Sequence, residues 1–323
     1  MLVVRNGHVV FRRGYGVTDL RTLHPIEPNT NFRLASFTKQ FTATSIMLLV
    51  HDGNLHYEDH LTDIFPEFPA YGKAITIRNL LNHTSGLPDY EDLLMAQYPN
   101  TPPERIPQIL DAGVLKLLEQ QSAGKFPPGS LWEYSNSGYA VLAMVVEKVS
   151  GEPFGKFLHD RIFAPLKMNN TLAYEKGKNE VPHRAYGHTK EKDGWRETDQ
   201  SPTSAVLGDG GIYSSIDDLA KWDRALRNHT LLTAAEMQPA LTAVQPTVYP
   251  ANSNGKQVSY GFGWFLDPYR GHKRMSHNGE TIGFLTTIQR FPDDDLTVIV
   301  LANRTDKDPE HQALKVADLY LNH

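Results

Sequence analysis

Ser36 and Lys39 stand three residues apart in the run Phe32-Arg33-Leu34-Ala35-Ser36-Phe37-Thr38-Lys39. On a helix that spacing stacks the lysine amine over the serine hydroxyl. A serine activated by an adjacent base can attack an acyl carbon. Two further groups lie far along the chain. Tyr134-Ser135-Asn136 offers a phenol and an amide between the loop Phe126-Pro127-Pro128-Gly129-Ser130 and an apolar run, Val141, Leu142, Val145, Val146 and Val149. His277-Asn278-Gly279 follows a strand-like stretch, and its glycine lets backbone approach a ligand closely. Each piece alone has a plain structural meaning: a serine cap with a surface lysine, a packed loop tyrosine, an asparagine cap. Only in combination do they suggest a site.

The elements that must carry these groups follow from periodicity. Phe41, Ile46, Met47, Leu48, Leu49 and Val50 predict a buried helix from about Ser36 to His51, ended by Asp52-Gly53. Ser36 would sit at its positive end. Asn6-Gly7 between Val3-Val4 and Val9-Val10 predicts a hairpin with a type I′ turn. Residues 260–266, 273–276, 286–291 and 296–301 read as strands, with a turn at Pro292-Asp293-Asp294-Asp295 and a final helix over 309–321. Between the ends lie helix candidates at 75–81, 103–120, 137–150, 153–163 and 216–228. The expected fold is α+β: an antiparallel sheet formed from both chain ends, flanked by helices, with an inserted mainly helical region. Residues 1–55 and 205–323 would form the sheet part and 56–204 the helical part, with the site between them.

Together the three motifs resemble those of the serine β-lactamase and penicillin-binding-protein superfamily: S-x-x-K, then Y-x-N, then H-x-G in place of K-T-G. The likeness is to its class C β-lactamase-like branch, which includes esterases and D-aminopeptidases. The stretches Leu80-Leu81-Asn82-His83-Thr84-Ser85-Gly86-Leu87-Pro88-Asp89-Tyr90 and Gly208-Asp209-Gly210-Gly211-Ile212-Tyr213-Ser214-Ser215 are similar to connecting segments of that branch. The resemblance implies a β-lactamase/transpeptidase-like fold and a metal-independent serine hydrolase. Ser36 would be the nucleophile, with Lys39 and Tyr134 as its catalytic partners. Asn136 would orient Lys39 and bind the acyl side of a substrate. The backbone N–H groups of Ser36 and Glu280, the latter following His277-Asn278-Gly279, would form the oxyanion hole.

Protonation governs how such a set works. A lysine at its reference pKa of about 10.4 is less than roughly 0.1% neutral at pH 7, and a tyrosine near 10 faces a similar gap. Either Lys39 loses its charge through burial, or it stays cationic and eases ionisation of Tyr134. The sequence leaves both open. His277 is the discriminating residue, because a histidine near 6.5 is mostly neutral at pH 7 whereas a K-T-G lysine is charged. Carboxylate-bearing β-lactams and D-Ala-D-Ala peptides are therefore expected to be poorer substrates than neutral esters or amides. Lys273 sits four strand residues from His277, about 13 Å along the backbone, too far to replace that charge.

Composition narrows the field. With 323 residues and 40% hydrophobic content the chain can bury a large core. A net charge of -5 gives no basic footprint for nucleic acid. There is no cysteine, so disulfides and thiolate chemistry are excluded. No apolar stretch approaches the roughly 20 residues of a membrane span, and Met1-Leu2-Val3-Val4 reads as strand rather than as a leader. A cytoplasmic location is expected if this is the full product, and a periplasmic or secreted one if a leader has been removed. His51, His56 and His60 with Asp52, Glu58, Asp59 and Asp63 superficially suggest a metal cluster. No H-E-x-x-H is present, and a solvated turn accounts for them. The expected partner is a small ester, amide or peptide, with no cofactor. Competing readings are a D-aminopeptidase or amidase, a β-lactamase or DD-peptidase, and a slowly acylating penicillin or peptidoglycan receptor.

Overall fold

The computed structural model describes residues 1–248 and 257–321. Strand β1 (Leu2–Arg5) turns into β2 (His8–Arg12) through Asn6 and Gly7, both left-handed with φ of 50° and 73°. These are the two positive angles that a type I′ turn requires. From the other end come β3 (Met275–Thr281), β4 (Phe284–Phe291) and β5 (Leu296–Ala302). All neighbouring strands are antiparallel, in the order β2-β1-β5-β4-β3, so the first strand zips onto the last, with Leu2 opposite Ile299. The expected sheet built from both chain ends is the one observed.

Alternation along these strands divides the core into two layers. Val3, Phe291, Leu296, Val298 and Val300 meet Ala313 and Ala317 of helix α6 (Pro309–Ala317) on one face. Leu2, Val4, Met275, Ile288 and Ile299 point the other way into the main core. That core is built around α1 (Lys39–His51), in which every residue from Lys39 to Leu49 is buried. Phe41 packs edge-on against Phe163 and lies 4.7 Å from the Trp222 ring, centroid to centroid. Each such buried side chain contributes roughly 1.5–3 kcal/mol. The longer helices between α1 and α6 are α2 (Tyr90–Gln97), α3 (Asp111–Glu119), α4 (Asn136–Ser150) and α5 (Ile216–Arg227). A small sheet joins Phe32–Arg33, Ile212–Ser214 and Leu172–Ala173, and His188–Glu191 pairs with Gly194–Glu197 as a separate hairpin.

Three local expectations change. Residues 260–266 do not form a strand: the chain reverses within Gly261-Phe262-Gly263, leaving single bridges from Phe265 to Tyr260 and to Ser276. The helix expected over 103–120 splits into a short turn, Pro103–Arg105, and α3. Pro107 explains the gap, since it lacks an N–H and forces Ile106 into the extended conformation seen there, φ -76° and ψ 127°. Finally, Ser36 does not cap α1. It lies within a tight 3-10 turn, Ala35–Thr38, that feeds into the helix from a left-handed Ala35 with φ 50°.

Candidate active site

Lys39 is wholly buried, and its Nζ meets three oxygens. It lies 3.1 Å from Ser36 Oγ, 2.8 Å from Asn136 Oδ1 and 3.0 Å from the Asp209 carbonyl oxygen. Two of these can only accept, whereas a serine hydroxyl can either accept or donate. An ammonium donates to all three; a neutral amine donates to Asn136 and Asp209 and turns its lone pair to the Ser36 hydroxyl. The amine is therefore aimed at Ser36 in either charge state. Its Nζ also lies 4.9 Å from the centre of the Tyr134 ring and 5.4 Å from that of Tyr139. The Tyr134 hydroxyl makes no hydrogen bond among the described residues, and Ser36 Oγ is hydrogen-bonded to Lys39.

Asn136 opens α4, and the cap before it is Ser135, whose side chain accepts from the Gly138 N–H at 3.1 Å. Asn136 is thus free to face Lys39. Because lysine offers only donors, Asn136 must present its oxygen there, leaving its NH2 for Glu91 Oε1 at 3.2 Å. The preceding loop is fixed by His83, a residue in a left-handed conformation with φ 64°. The His83 carbonyl accepts from the Glu133 N–H and its Nδ1 accepts from the Ser135 N–H at 3.1 Å. Its ring lies 4.4 Å from that of Tyr134. Burial holds His83 well below the ordinary histidine range, with the charge of Lys39 acting in the same direction. A neutral ring with Nδ1 as acceptor is what the Ser135 contact requires.

The third motif lies within β3 rather than after a strand, at the sheet edge that faces the Ser36 turn. A Cβ on Gly279 would fall 2.1 Å from the Leu34 carbonyl oxygen and 2.3 Å from Thr286 Oγ1. Only glycine lets β3 approach so closely, and Thr286 Oγ1 donates to that Leu34 carbonyl at 2.8 Å. The direction of the Glu280 N–H follows from register. Ser276 exchanges both backbone hydrogen bonds with Phe265, on the side away from β4. Pairing with β4 continues without a slip, so alternation by two carries Asn278 and Glu280 to that same open side. The Ser36 N–H lies in the first turn of its 3-10 segment, where amides have no intrahelical partner.

His277 points into the protein. Its Nδ1–H donates to the Asn278 carbonyl at 2.7 Å, which leaves Nε2 to accept the Tyr260 hydroxyl at 3.1 Å. Phe265 and Tyr134 flank the ring at 5.4 and 6.2 Å. Burial pushes its pKa down to about 3, aided by the Lys39 charge and opposed by the Asn278 contact. Lys273 lies before β3 and lines a separate cavity with Arg227 and Arg290. His277 is therefore neutral, and Lys273 does not stand in for it.

Four residues that sequence reasoning gave no role complete the surroundings. Asp209 supplies a carbonyl to Lys39, while its carboxylate accepts from Tyr90 Oη at 2.8 Å. Asp111 holds the turn around Asp209 by accepting from the Leu207 and Gly208 N–H groups at 2.8 and 3.0 Å. Glu91 contacts Asn136, and His83 contacts Ser135. The histidines set aside as a solvated turn pair with separate carboxylates, His56 with Asp59 and His60 with Asp63 locally and His51 with the distant Glu236.

A family model described as Beta-lactamase matches residues 1–322. A penicillin-binding protein of Bacillus subtilis is 33% identical over 98% of this chain and 71% of its own length. A D-aminopeptidase of Cereibacter sphaeroides is 27% identical over 93% of this chain, which spans 55% of that protein. Among solved structures, the octameric penicillin-binding protein homologue from Pyrococcus abyssi superposes with a TM-score of 0.83 at 25% identity, covering 98% of this chain and 72% of that one.

Proposed function

The chain belongs to the Beta-lactamase family and is a serine hydrolase, and on that premise we propose that it cleaves carboxylic esters through an acyl-enzyme on Ser36. Ser36 Oγ forms a bond to the acyl carbon as the bond to the leaving oxygen breaks. The serine proton passes through Lys39 or Tyr134 to the departing alcohol. Water then reverses the sequence, its hydroxyl joining the acyl group and its proton returning to Ser36 Oγ. Asn136 holds Lys39 in place, and the N–H groups of Ser36 and Glu280 receive the oxyanion, where losing one donor typically costs 100- to 1000-fold in kcat.

The observation that carries the substrate reading is the buried, neutral His277. A lysine at that position would attract a carboxylate; an uncharged imidazole hydrogen-bonded to Tyr260 and Asn278 does not. Esters and amides that lack the carboxylate of β-lactams fit this site better. Amide cleavage of the D-aminopeptidase type is the second reading, favoured by Glu91 beside Asn136. The test is a panel of p-nitrophenyl esters, D-amino acid amides and nitrocefin, with Ser36→Ala as control. Short-chain esters are expected to give the highest kcat/KM, and fluorophosphonate should label Ser36. A higher kcat/KM for nitrocefin would overturn the ester reading, and lasting acylation by penicillin without turnover would make the protein a receptor.

A further inference from the structure

Arg290, on β4, is a buried cation whose hydrogen bonding is incomplete. It is 8% exposed, and its Nε donates to Asp223 Oδ1 at 2.8 Å, an oxygen that also accepts from Thr297 Oγ1 at 2.7 Å. Its Nη1 meets the Met275 sulfur at 3.7 Å, a weak acceptor, and its Nη2 has no hydrogen-bond partner among the described residues. Buried donors left in this state are few in native proteins. Met275, Arg290 and Thr297 stand side by side across β3, β4 and β5, and with α5 they enclose a cavity of about 270 Å³. That is close to the lower end of the roughly 300–1,000 Å³ usual for small-ligand sites. Two ion pairs in its walls cancel: Arg290 with Asp223, and Arg227 with Asp295 through Nε and Nη2, both at 2.7 Å. Lys273, exposed at the rim and without a partner among the described residues, is left as a surplus positive charge. The other walls are mainly apolar, among them Leu226, Met237, Leu241 and Phe291. Leu226 and Met237 also line the narrow crevice beside Trp222.

We propose that this cavity is a second binding site, separate from the catalytic one, for a monocarboxylate with a short hydrocarbon body. One carboxylate oxygen takes the free Arg290 Nη2 and the other takes Lys273 Nζ, in charge-assisted hydrogen bonds roughly twice as strong as neutral ones. Lys273 is two residues before Met275, the residue opposite Arg290, so its backbone starts about 7 Å away, within reach of a lysine stem. A single surplus charge suits a monoanion, whereas a dianion would face Asp223 and Asp295 undercompensated. The hydrocarbon covers the apolar walls, which a bare inorganic anion would leave wet. This ligand class is that of the acid released when an ester or amide is hydrolysed. Met275 begins the strand that carries His277 and Gly279, so the occupant would rest against the same strand as the catalytic site. Binding itself does not require acylation at Ser36, so the site and the proposed function stand or fall separately.

The test is a titration followed by NMR of protein whose methionines carry 13C at the methyl group. Two of the seven methionines, Met237 and Met275, line the cavity. Hexanoate should shift these two methyl signals saturably, with a Kd of about 1 mM or tighter. Hexanamide, which lacks the charge, should bind at least about tenfold more weakly. Acetate, which leaves the apolar walls uncovered, should also bind at least about tenfold more weakly. Lys273→Gln changes only an exposed side chain and should weaken hexanoate about fivefold, with fluorophosphonate labelling of Ser36 unchanged. Shifts that do not saturate, equal affinity for hexanoate and hexanamide, or a hexanoate affinity unaltered by Lys273→Gln overturns the site. Acetate binding as tightly as hexanoate overturns the ligand class. Hexanoate that ceases to bind once Ser36 carries a fluorophosphonate adduct belongs to the catalytic cleft, and the second site falls.

Discussion

Replacing His277 by glutamine should remove a large part of the acid sensitivity of folding. His277 has a folded-state pKa of about 3, against about 6.5 in an unfolded chain. The unfolded state therefore binds more protons between those values, so stability rises with pH across that window and is lost as pH falls below 6.5. At about 1.4 kcal/mol per unit, the full difference approaches roughly 5 kcal/mol by pH 3. At pH 5 the linkage relation gives about 2 kcal/mol. His277→Gln cannot titrate, and its side-chain oxygen can still accept from Tyr260. Urea unfolding of both proteins at pH 7.5 and pH 5.0 isolates the His277 contribution, because His83 and the carboxylates are common to both. Wild type should lose about 2 kcal/mol more than the variant between the two pH values. Equal losses, or an imidazole resonance of His277 that titrates near 6.5, would show that burial does not hold the ring neutral. The substrate reading would go too, because His277 would then gain a positive charge in mild acid.

Gly279→Ala should destabilise the protein by roughly 1–3 kcal/mol, since the new methyl meets backbone rather than a movable side chain. It should also slow fluorophosphonate labelling of Ser36 by about 100-fold as β3 is pushed away; an unchanged labelling rate would remove the Glu280 N–H from the oxyanion hole. His83→Leu leaves the Ser135 N–H without its acceptor, at a cost of about 1–3 kcal/mol, and should lower kcat more than it changes KM. His83→Asn keeps a side-chain acceptor and should recover part of kcat; if the two variants are equally slow, His83 is only packing.

What the sequence made legible was what local rules encode. Asn6-Gly7 specifies its own turn, and the apolar run after Lys39 specifies a core helix, so the hairpin and α1 stand where expected. Ser36, Lys39 and Asn136 were legible as a set, and the structure brings them together through Lys39. Their neighbours were not. Glu91, Asp111 and Asp209 look like ordinary surface acids, and only tertiary packing turns Asp209 inward and sets Glu91 against Asn136. His83 lies in a stretch read as connecting chain, and nothing local shows that its Nδ1 will accept from Ser135, 52 residues away. The strand expected at 260–266 failed for the opposite reason: its residue types suit a strand, but the contacts of Tyr260 and Phe265 with His83 and His277 hold them in a fold-back instead.

A sheet closed by the two ends of the chain sets an order of assembly. Ser36 is made early, whereas β3, with the Glu280 N–H, follows about 240 residues later. At a synthesis rate of about 5–20 residues per second that is a delay of some 12–50 seconds. During it, β1 has no β5 to pair with and the Ser36 turn has no β3 beside it. The nascent chain thus carries a serine and a lysine without the surface that would let them react. On the proposed roles, a chain that stops short of these strands lacks the Glu280 N–H and is expected to leave Ser36 unlabelled by fluorophosphonate.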